Sequence, residues 1–385
     1  MGYKNRCGIA GVVVGILLAA LPLFAKDIVI RPGQSLLIGT MDEPKFLPTR
    51  LGVDLAVDQF GNQLLGFPIR TKHLGHGCGP MQNQNIAEGL SKDPKVAGVV
   101  GPMCSGRAHG IIHLLSDAQV LTISPANTGA FLTEPDFRPP YYFRTSPNDL
   151  FQGPIGADFA GQALGATTAA VIYYEEEYSL GLFEGFNQAF TAGGGTITGE
   201  FPIPFEQGDF TAILDEIGEV DVIYAPIFFE DSAPLYTQLR ERDPNGEIPL
   251  LVSDGSIGPF MFDLIGPNPV EFYASGVVLK GPEFPVFLQD YLASFGQEPE
   301  PDSFEAMAYD AATLMLNAMA AVAQTDAKGN LVISPPALLD YLNDPSNYPY
   351  LGAGGTYTVP ENGDLNKNGW EVFLGQDGEF IPVYP

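Results

Sequence analysis

The sequence predicts an α/β protein made of two lobes, each with a mostly parallel sheet at its core. Strand-like runs alternate with helical patterns through most of the chain, which favours parallel sheets over an all-β or all-α fold. The chain has 385 residues, which exceeds what one hydrophobic core usually serves. Two lobes are therefore expected.

The first part of the chain reads as three strand–helix units. The predicted strands are short apolar runs, and the predicted helices carry apolar residues at helical spacing. The strands fall at residues 35–39, 68–71, 96–100, 120–123 and 142–144, and the helices at 49–60, at 81–91 and in a third run that ends at 118.

A second series of units begins after residue 144. Its predicted helices are near residues 151–164, 181–192 and 233–242, and its strands are near 169–173, 220–224 and 248–252. Near residues 276–279 the chain is expected to leave this series, and a long helix follows at 304–322. We find no short-period repeat and no low-complexity tract.

Residues 96–128 form the most informative stretch. A strand, a helix and a second short strand with little slack between them make a βαβ unit with parallel strands. The loops at 101–106 and 124–128 then leave the carboxyl ends of neighbouring strands, where open α/β sheets bind ligands. Ser105 occupies a helix N-cap position, and the free N–H groups of a helix start attract an anion. We predict a pocket for a small carboxylate between these two loops.

The first 25 residues are expected to be a signal peptide. Lys4 and Arg6 give a basic start, residues 9–24 are almost unbroken apolar, and Ala25 suits cleavage. The apolar run is short for a membrane span, so an uncleaved anchor is the alternative. The mature protein is expected to be soluble and exported.

The composition excludes several classes of function. The chain has 18 Lys and Arg against 46 Asp and Glu, a formal net charge of -28. Such a surface argues against nucleic acid and against anionic membranes. The sequence also lacks the nucleophile elbow, the phosphate loop and the His-Glu-x-x-His motif. We therefore predict a binding protein without a cofactor, and not an enzyme.

Two cysteines follow the signal peptide, Cys78 and Cys104. An oxidising compartment makes a disulfide between them the first hypothesis, and two free buried thiols are the alternative. The bridge would close a loop of about 25 residues, worth on the order of 3–4 kcal/mol in the chain-entropy model. Both cysteines follow candidate strands at the same sheet edge, which favours the bridge.

The histidines cluster in one span of the chain. They are His73, His76, His109 and His113. His109 and His113 are four residues apart on a predicted helix, hence on one face. A transition-metal site is the alternative reading of this cluster. We predict no metal, because His73 and His76 fall in an irregular loop and no carboxylate spacing completes a known motif.

Several motifs together resemble a known family. Gly-Pro-Met-Cys-Ser at 101–105, followed by Ile-Ser-Pro-Ala-Asn-Thr at 123–128, looks like the amino-terminal lobe of branched-chain amino-acid binding proteins. These are type I periplasmic binding proteins that feed ABC importers. The likeness continues, in the family's order and spacing, at residues 143–149, 152–153, 309–312, 362–365 and 377–380. It covers nearly all of the chain that follows the signal peptide.

This resemblance implies a particular division of the chain. The family has two Rossmann-like lobes with parallel-sheet cores, joined by a hinge of three crossing strands. Here that implies a first lobe of residues 26–145 plus 281–355 and a second of 146–280 plus 356–385. The family also has a disulfide at the place of Cys78 and Cys104.

An α-amino acid carries a carboxylate and an ammonium, so its binder needs hydrogen-bond donors and an anion. The candidate donors are the hydroxyls of Ser105 and Thr128 with the loop amides, and the carbonyl of Ala126 or Asn127 is a candidate acceptor for the ammonium. A helix cap and a turn start are the alternatives for the two hydroxyls. The resemblance favours contact with the ligand.

The second lobe is expected to complete the site. Asp254 ends a predicted strand, and the matching position in the family often carries a Glu that holds the ammonium. The resemblance also implies that Tyr178 covers the ligand and that Phe228 or Phe229 lines the pocket. The alternatives are a turn Asp before Gly and core packing of both phenylalanines.

The predicted function is capture of an aliphatic or uncharged amino acid by hinge closure, followed by delivery to a membrane ABC permease. We expect a monomer in the periplasm or another extracytoplasmic space. The loop at 41–46 departs most from the family pattern, so a small amide, urea or an aromatic carboxylate is an alternative ligand. A ligand-sensing module for a signalling partner is the alternative class.

Overall fold

The computed structural model describes residues 26–42, 49–75, 83–266, 269–278, 280–299, 303–366 and 369–385. The predicted signal peptide lies outside the described residues. Within them, the strands form two large sheets and two small ones. No helix of these ranges is both long enough and apolar enough to cross a membrane.

The strands of the described ranges are mostly short and buried. In chain order they are β1 (Ile28–Ile30), β2 (Leu36–Asp42), β3 (Gln63–Leu64), β4 (Phe67–Gly75), β5 (Val96–Val100), β6 (Leu121–Ser124), β7 (Tyr142–Arg144), β8 (Thr168–Tyr174), β9 (Thr196–Ile203), β10 (Val222–Ala225), β11 (Leu250–Val252), β12 (Phe272–Val277), β13 (Gln324–Thr325), β14 (Leu331–Ile333), β15 (Tyr350–Leu351), β16 (Thr356–Tyr357), β17 (Trp370–Gln376) and β18 (Glu379–Tyr384).

The helices alternate with the strands, as the sequence pattern predicts. In chain order they are α1 (Arg50–Gln59), α2 (Asn83–Lys92), α3 (Ser105–Asp117), α4 (Gln152–Asp158), α5 (Glu177–Ala192), α6 (Thr211–Ile217), α7 (Phe229–Arg242), α8 (Pro259–Ile265), α9 (Phe284–Phe295), α10 (Glu305–Val322) and α11 (Pro335–Asn343). A π-helical turn, Phe159–Ala163, extends α4 over the range predicted as one helix.

The first large sheet has the strand order β3-β4-β2-β5-β6-β7. All its pairings are parallel except that of β3 with β4. The predicted βαβ unit is therefore confirmed as β5, α3 and β6. Every residue of β5 is buried, as expected for a parallel strand covered by helices on both faces.

The second large sheet has the order β18-β17-β12-β11-β10-β8-β9. Strands β9, β8, β10, β11 and β12 pair in parallel, and β17 and β18 complete the sheet in antiparallel fashion. The predicted α/β class, with parallel-rich sheets in two halves, is confirmed.

The chain passes between the two sheets three times: after β7, after β12 and after β16. In its return to the first sheet, α10 packs against α1, β5 and β6. Tyr357 and Leu365 belong to the hydrophobic core of the first sheet, and Val372 belongs to that of the second. The residue boundaries of the lobes stay a prediction.

Glu305 is a buried carboxyl at the first turn of α10. It accepts hydrogen bonds from the Gly52 N–H, at the start of α1, and from the Tyr291 hydroxyl at 3.3 Å. Burial raises the pKa of Glu305 to about 8, and the negative charges of Asp42 and Asp54 add to the rise. The group therefore stays protonated in the fold near neutral pH.

We expect the fold to lose stability as pH rises from about 5 to about 8. Over this range the unfolded chain releases a proton from Glu305 that the folded chain keeps, so higher pH favours unfolding. In Glu305→Gln an amide oxygen still accepts from Gly52, and this pH dependence should shrink by a few kcal/mol, on the order of 3–5. Urea unfolding at pH 5 and pH 8 measures it. The exposed-residue variant Glu241→Gln should keep the wild-type slope, and an unchanged slope in Glu305→Gln would contradict the account.

Candidate functional site

Two adjacent strand ends build the first wall of the site. Because β5 and β6 are parallel neighbours, the loops that follow them leave the same sheet edge. Ser124, the last residue of β6, donates to the Pro102 carbonyl at 2.6 Å and accepts from the Asn127 N–H at 2.9 Å. This buried hydroxyl fastens the second loop to the first.

Ser105 does not cap the helix as expected. The N-cap residue is Cys104, in extended conformation, and Ser105 is the first residue of α3. Its Oγ instead accepts a hydrogen bond from the Gly129 N–H at 3.0 Å, so the N-cap prediction is wrong by one residue. The helix start nevertheless lies against the second loop.

The second loop carries Ala126, Asn127 and Thr128, all buried. The Asn127 carbonyl already accepts from Arg144 Nη1 at 3.1 Å and from Ser146 Oγ at 2.7 Å. Of the two carbonyls considered for an ammonium, that of Ala126 is therefore the better candidate.

Arg144 is the buried residue that organises this wall, and the sequence analysis did not single out its role. Its side chain is 0 % exposed. The guanidinium donates to Asp364 Oδ1 at 2.5 Å, to the Gly129 carbonyl at 2.8 Å and to Thr133 Oγ1 at 2.7 Å. It thereby ties β7 and the second loop to the segment that leads into the third crossing.

The second wall centres on Asp254, in a short turn after β11. The Tyr178 hydroxyl lies 2.6 Å from Asp254 Oδ1, and Gln152 Nε2 donates to the same oxygen at 2.8 Å. Burial raises the pKa of Asp254, while these two donors oppose the rise. Burial and the charge of Asp254 also raise the pKa of Tyr178 well above its usual range, so the phenol remains a donor.

Aromatic rings surround Tyr178. Phe228 stacks on it, with ring centroids 5.5 Å apart and planes within 7°. Phe205 continues the stack beyond Phe228 at 6.0 Å. Phe229 is the first residue of α7 and packs in the core against Phe260 at 4.5 Å. Of the two predicted phenylalanines, only Phe228 lies beside Tyr178 and Asp254.

Glu176 brings the two walls together. Its carboxylate caps α5, accepting from the N–H groups of Tyr178 at 3.1 Å and Ser179 at 2.9 Å. The same carboxylate contacts Gly106 in α3, where a Cβ atom would lie 2.1 Å from Glu176 Oε2. A side chain at Gly106 would therefore displace the Glu176 carboxylate. The sequence analysis did not single out Glu176.

Asp149 lies between the two walls. Its N–H donates to the Thr128 carbonyl at 2.9 Å, and its side chain is buried. Burial, and then the negative charge of Asp254, raise the pKa of Asp149 well above its usual range, whereas Arg144 and Thr128 oppose the rise. The structure thus brings the loop of Thr128 and the carboxylate of Asp254 into one site.

The predicted disulfide is only half described. Cys104 is buried at the start of α3, and Cys78 lies outside the described residues, so the pairing stays a prediction. The same holds for most of the divergent loop at 41–46, of which residues 41 and 42 are described.

The histidines fall into separate environments. His73 lies in β4, so its predicted place in an irregular loop is wrong, and its Nε2 is 3.0 Å from Asp54 Oδ2. The rings of His109 and His113 are 5.6 Å apart. His76 lies outside the described residues. In the part of the chain that the structure describes, His, Cys, Asp and Glu form no group of three that could hold a metal ion.

Comparison with known proteins agrees with this architecture. A family model described as periplasmic binding protein matches residues 41–365.

This chain belongs to the periplasmic binding protein family.

The resemblance inferred from the loop motifs is confirmed by this match. Among curated relatives of this periplasmic binding protein, the Leu/Ile/Val-binding protein BraC3 of Rhizobium johnstonii is 26 % identical over 337 residues, covering 86 % of this chain and 87 % of the relative. The Leu/Ile/Val-binding protein homolog 3 of Brucella melitensis is 25 % identical over 305 residues, covering 78 % and 76 %.

Solved structures share the fold at lower identity. LivJ of Streptococcus pneumoniae, a branched-chain amino-acid transporter substrate-binding protein in complex with isoleucine, has a TM-score of 0.75 at 21 % identity, covering 91 % of this chain and all of that one. A solute-binding protein of R. palustris in complex with benzoate has a TM-score of 0.73 at 18 % identity, covering 91 % and 96 %. The fold thus accommodates ligands with and without an amine.

Proposed function

We propose that this periplasmic binding protein captures an amino acid between its two walls and delivers it to an ABC importer. The observation that carries the proposal is the partly buried carboxylate of Asp254, held by Tyr178 and Gln152 opposite the loop of Thr128. A buried carboxylate is tolerated when a cation or several donors meet it. The ammonium of an amino acid supplies both.

The other end of the ligand fits the first wall. The start of α3 attracts an anion, because the helix dipole and the backbone amides there both favour negative charge. In our proposal the ligand carboxylate binds there, with Ser105 and Thr128 as donors, and the Ala126 carbonyl shares the ammonium with Asp254.

An aliphatic side chain suits the aromatic side of the site. The stacked rings of Tyr178 and Phe228 offer an apolar surface next to Asp254, and apolar surface favours apolar ligands. The names of the Leu/Ile/Val-binding relatives support the same ligand class.

Binding would close the two lobes, with boundaries at residues 145/146, 280/281 and 355/356. A ligand that contacts both walls at once stabilises only the closed form. A micromolar dissociation constant corresponds to about 8 kcal/mol, which exceeds a closing cost of a few kcal/mol.

The proposal includes the route to the compartment and the partner. Residues 1–25 act as the signal peptide, Cys78 and Cys104 form a disulfide there, and the monomeric closed form docks on the membrane permease. Membership of a family described as periplasmic supports this compartment.

A thermal-shift screen tests the function. Residues 26–385 are heated with each of the twenty amino acids and with benzoate, urea and small amides. A ligand at a hundredfold its dissociation constant adds about 2.7 kcal/mol to the free energy of unfolding, so an aliphatic amino acid should raise the melting temperature clearly. Stabilisation only by compounds without an amine would refute the amino-acid ligand.

Tyr178→Phe should weaken amino-acid binding by about tenfold or more. The variant keeps the ring stacked on Phe228 but removes the hydroxyl that donates to Asp254, and a hydrogen bond to a charged group contributes about 1.5–3 kcal/mol. Calorimetric titration with the best amino acid of the screen measures the loss. Tyr273→Phe, in β12 of the second large sheet, is the control and should bind as wild type. Equal affinity of Tyr178→Phe and wild type would show that the Tyr178 hydroxyl does not contribute to ligand binding.

A further inference from the structure

We propose that Asp149 is a second ligand-binding carboxylate, which with Asp254 makes a two-acid site for a protonated amine and restricts the ligands to compounds that carry one. The inference rests on the proposed function, because it concerns the same site. It gives a role in ligand binding to Asp149, a residue of the motif at 143–149 to which the resemblance assigned none.

The first observation is that Asp149 is buried without a partner. Asp149 is 3 % exposed, and neither carboxylate oxygen has a well-formed hydrogen bond among the residues that the structure describes, although the nearby Thr128 hydroxyl favours its charged form. A buried unpaired charge is costly. Side chains with only a structural role are normally paired in the fold, so this one awaits an external donor.

The second observation is the position of Asp149 relative to the two walls. The negative charge of Asp149 raises the pKa of both Tyr178 and Tyr224, which puts the carboxylate within electrostatic reach of the second wall. Its backbone is at the same time bonded to Thr128 in the first wall. The carboxylate therefore lies where the two walls meet.

The third observation is the chemistry of the neighbouring unpartnered atoms. Gln152 directs its amide nitrogen at Asp254 and at the Ser275 carbonyl, at 2.8 and 3.1 Å, which leaves Gln152 Oε1 as an unpartnered acceptor. With the two oxygens of Asp149, three acceptor atoms await donors. An ammonium group has three N–H donors and a positive charge, so it satisfies this set.

The ligand class follows from this arrangement. A carboxylate without an amine, such as benzoate, would bring negative charge toward two acids and leave all three acceptors unpaired. A site built to bond a donor rejects analogues that lack it, since its buried polar groups are then left unpaired. This chain should therefore discriminate against aromatic acids that lack an amine.

The first test needs no ligand. Asp149→Asn replaces an acid whose ionisation the fold disfavours with a neutral group of the same shape, so the empty protein should melt about 2 °C higher or more at neutral pH. The exposed Asp158→Asn, on the adjoining helix, is the matched control and should melt as wild type. A lower melting temperature for Asp149→Asn would show that the acid stabilises the fold, and would overturn the proposal.

The second test uses three probes with the leucine side chain, and benzoate. The three are L-leucine, 3-methylbutylamine, which lacks the carboxylate, and 4-methylpentanoate, which lacks the amine. Each is titrated by calorimetry into wild type, Asp149→Asn and Asp158→Asn. We expect Asp149→Asn to weaken the two amine-bearing probes tenfold or more, without weakening the two amine-free acids. Asp158→Asn should change none of the four.

The outcomes separate this inference from the proposed function. L-leucine bound equally by wild type and Asp149→Asn would overturn the role of Asp149 and leave the amino-acid function standing. Wild type that binds the simple amine but no amino acid, with loss in Asp149→Asn, would refute the function and support the two-acid site. Wild type that prefers benzoate to both amines would overturn both.

Discussion

Arg144→Met should lower the free energy of unfolding by about 3–5 kcal/mol, the usual cost of breaking a buried ion pair by removing one partner. The variant removes the cation paired with Asp364 and one donor from each of the Asn127 and Gly129 carbonyls. Methionine fills a similar volume, so the loss reports the polar network rather than a cavity. Urea unfolding, followed by circular dichroism, measures the difference.

The design includes two comparisons. Arg242→Met removes a partly exposed arginine that pairs with Asp215 at 2.7 Å, and exposed pairs contribute at most about 1 kcal/mol. Arg144→Lys keeps the charge but loses the planar fork of donors, so it should fall between wild type and Arg144→Met. Equal losses in Arg144→Met and Arg242→Met would show that Arg144 does not organise the first wall.

Asp254→Asn should weaken binding of the best amino acid by at least about 100-fold. Removing one member of a buried, hydrogen-bonded charge pair costs about 2–5 kcal/mol, much of it because the ligand's charge is left buried and unpaired. The shape of the site is preserved, and the Tyr178 hydroxyl and the Gln152 amide can still donate to the asparagine oxygen. The loss should therefore appear in affinity and not in the fold.

Calorimetric titration and thermal melting of the same samples separate these effects. Asp263→Asn, an exposed acid on α8 in the same half of the molecule, is the control and should bind with wild-type affinity. The Asp254→Asn protein should melt no lower than wild type, because burial raises the pKa of this acid and its charged form is disfavoured in the fold. Retained affinity would assign the ammonium to another acceptor.

The elements that the sequence predicted well are those with strong periodicity. Strand β5, with five consecutive buried residues, and helix α10, with small and apolar residues on several faces, have patterns that tertiary packing reinforces. The βαβ unit of β5, α3 and β6 followed from the short connections between these three elements, since little slack forces parallel strands together. Helices α5 and α7 begin four residues earlier than predicted, because Glu176 and Phe228, not a later residue, start them.

The site was predicted in part. The structure brings Tyr178, Phe228 and Asp254 together. Which residue near a helix start faces the site depends on the direction of its side chain, and two consecutive residues point in different directions. Phe228 precedes α7 and lies beside Tyr178, whereas Phe229 turns into the core. No local pattern distinguishes two adjacent phenylalanines without the helix phase.

Hydrogen bonds between residues far apart in the chain could not be predicted from the sequence. Asp310 accepts from the N–H groups of Ala353 and Gly354 and from the Tyr357 hydroxyl, at 2.9, 2.7 and 2.7 Å. Its partners lie more than forty residues along the chain, so spacing carries no signal. Asp149 and Gln152 stood within a quoted motif, but a role for them needs the position of Asp254, which the fold alone supplies.

A crystal structure of residues 26–385 with the amino acid found in the screen tests the central claim most directly. The account predicts ligand density between the two walls, with the amine within hydrogen-bond distance of Asp254 and the carboxylate at the start of α3. Density elsewhere, for example in the cavity of about 430 Å³ beside Asp58 and Arg70, with the space next to Asp254 filled only by water, would contradict it.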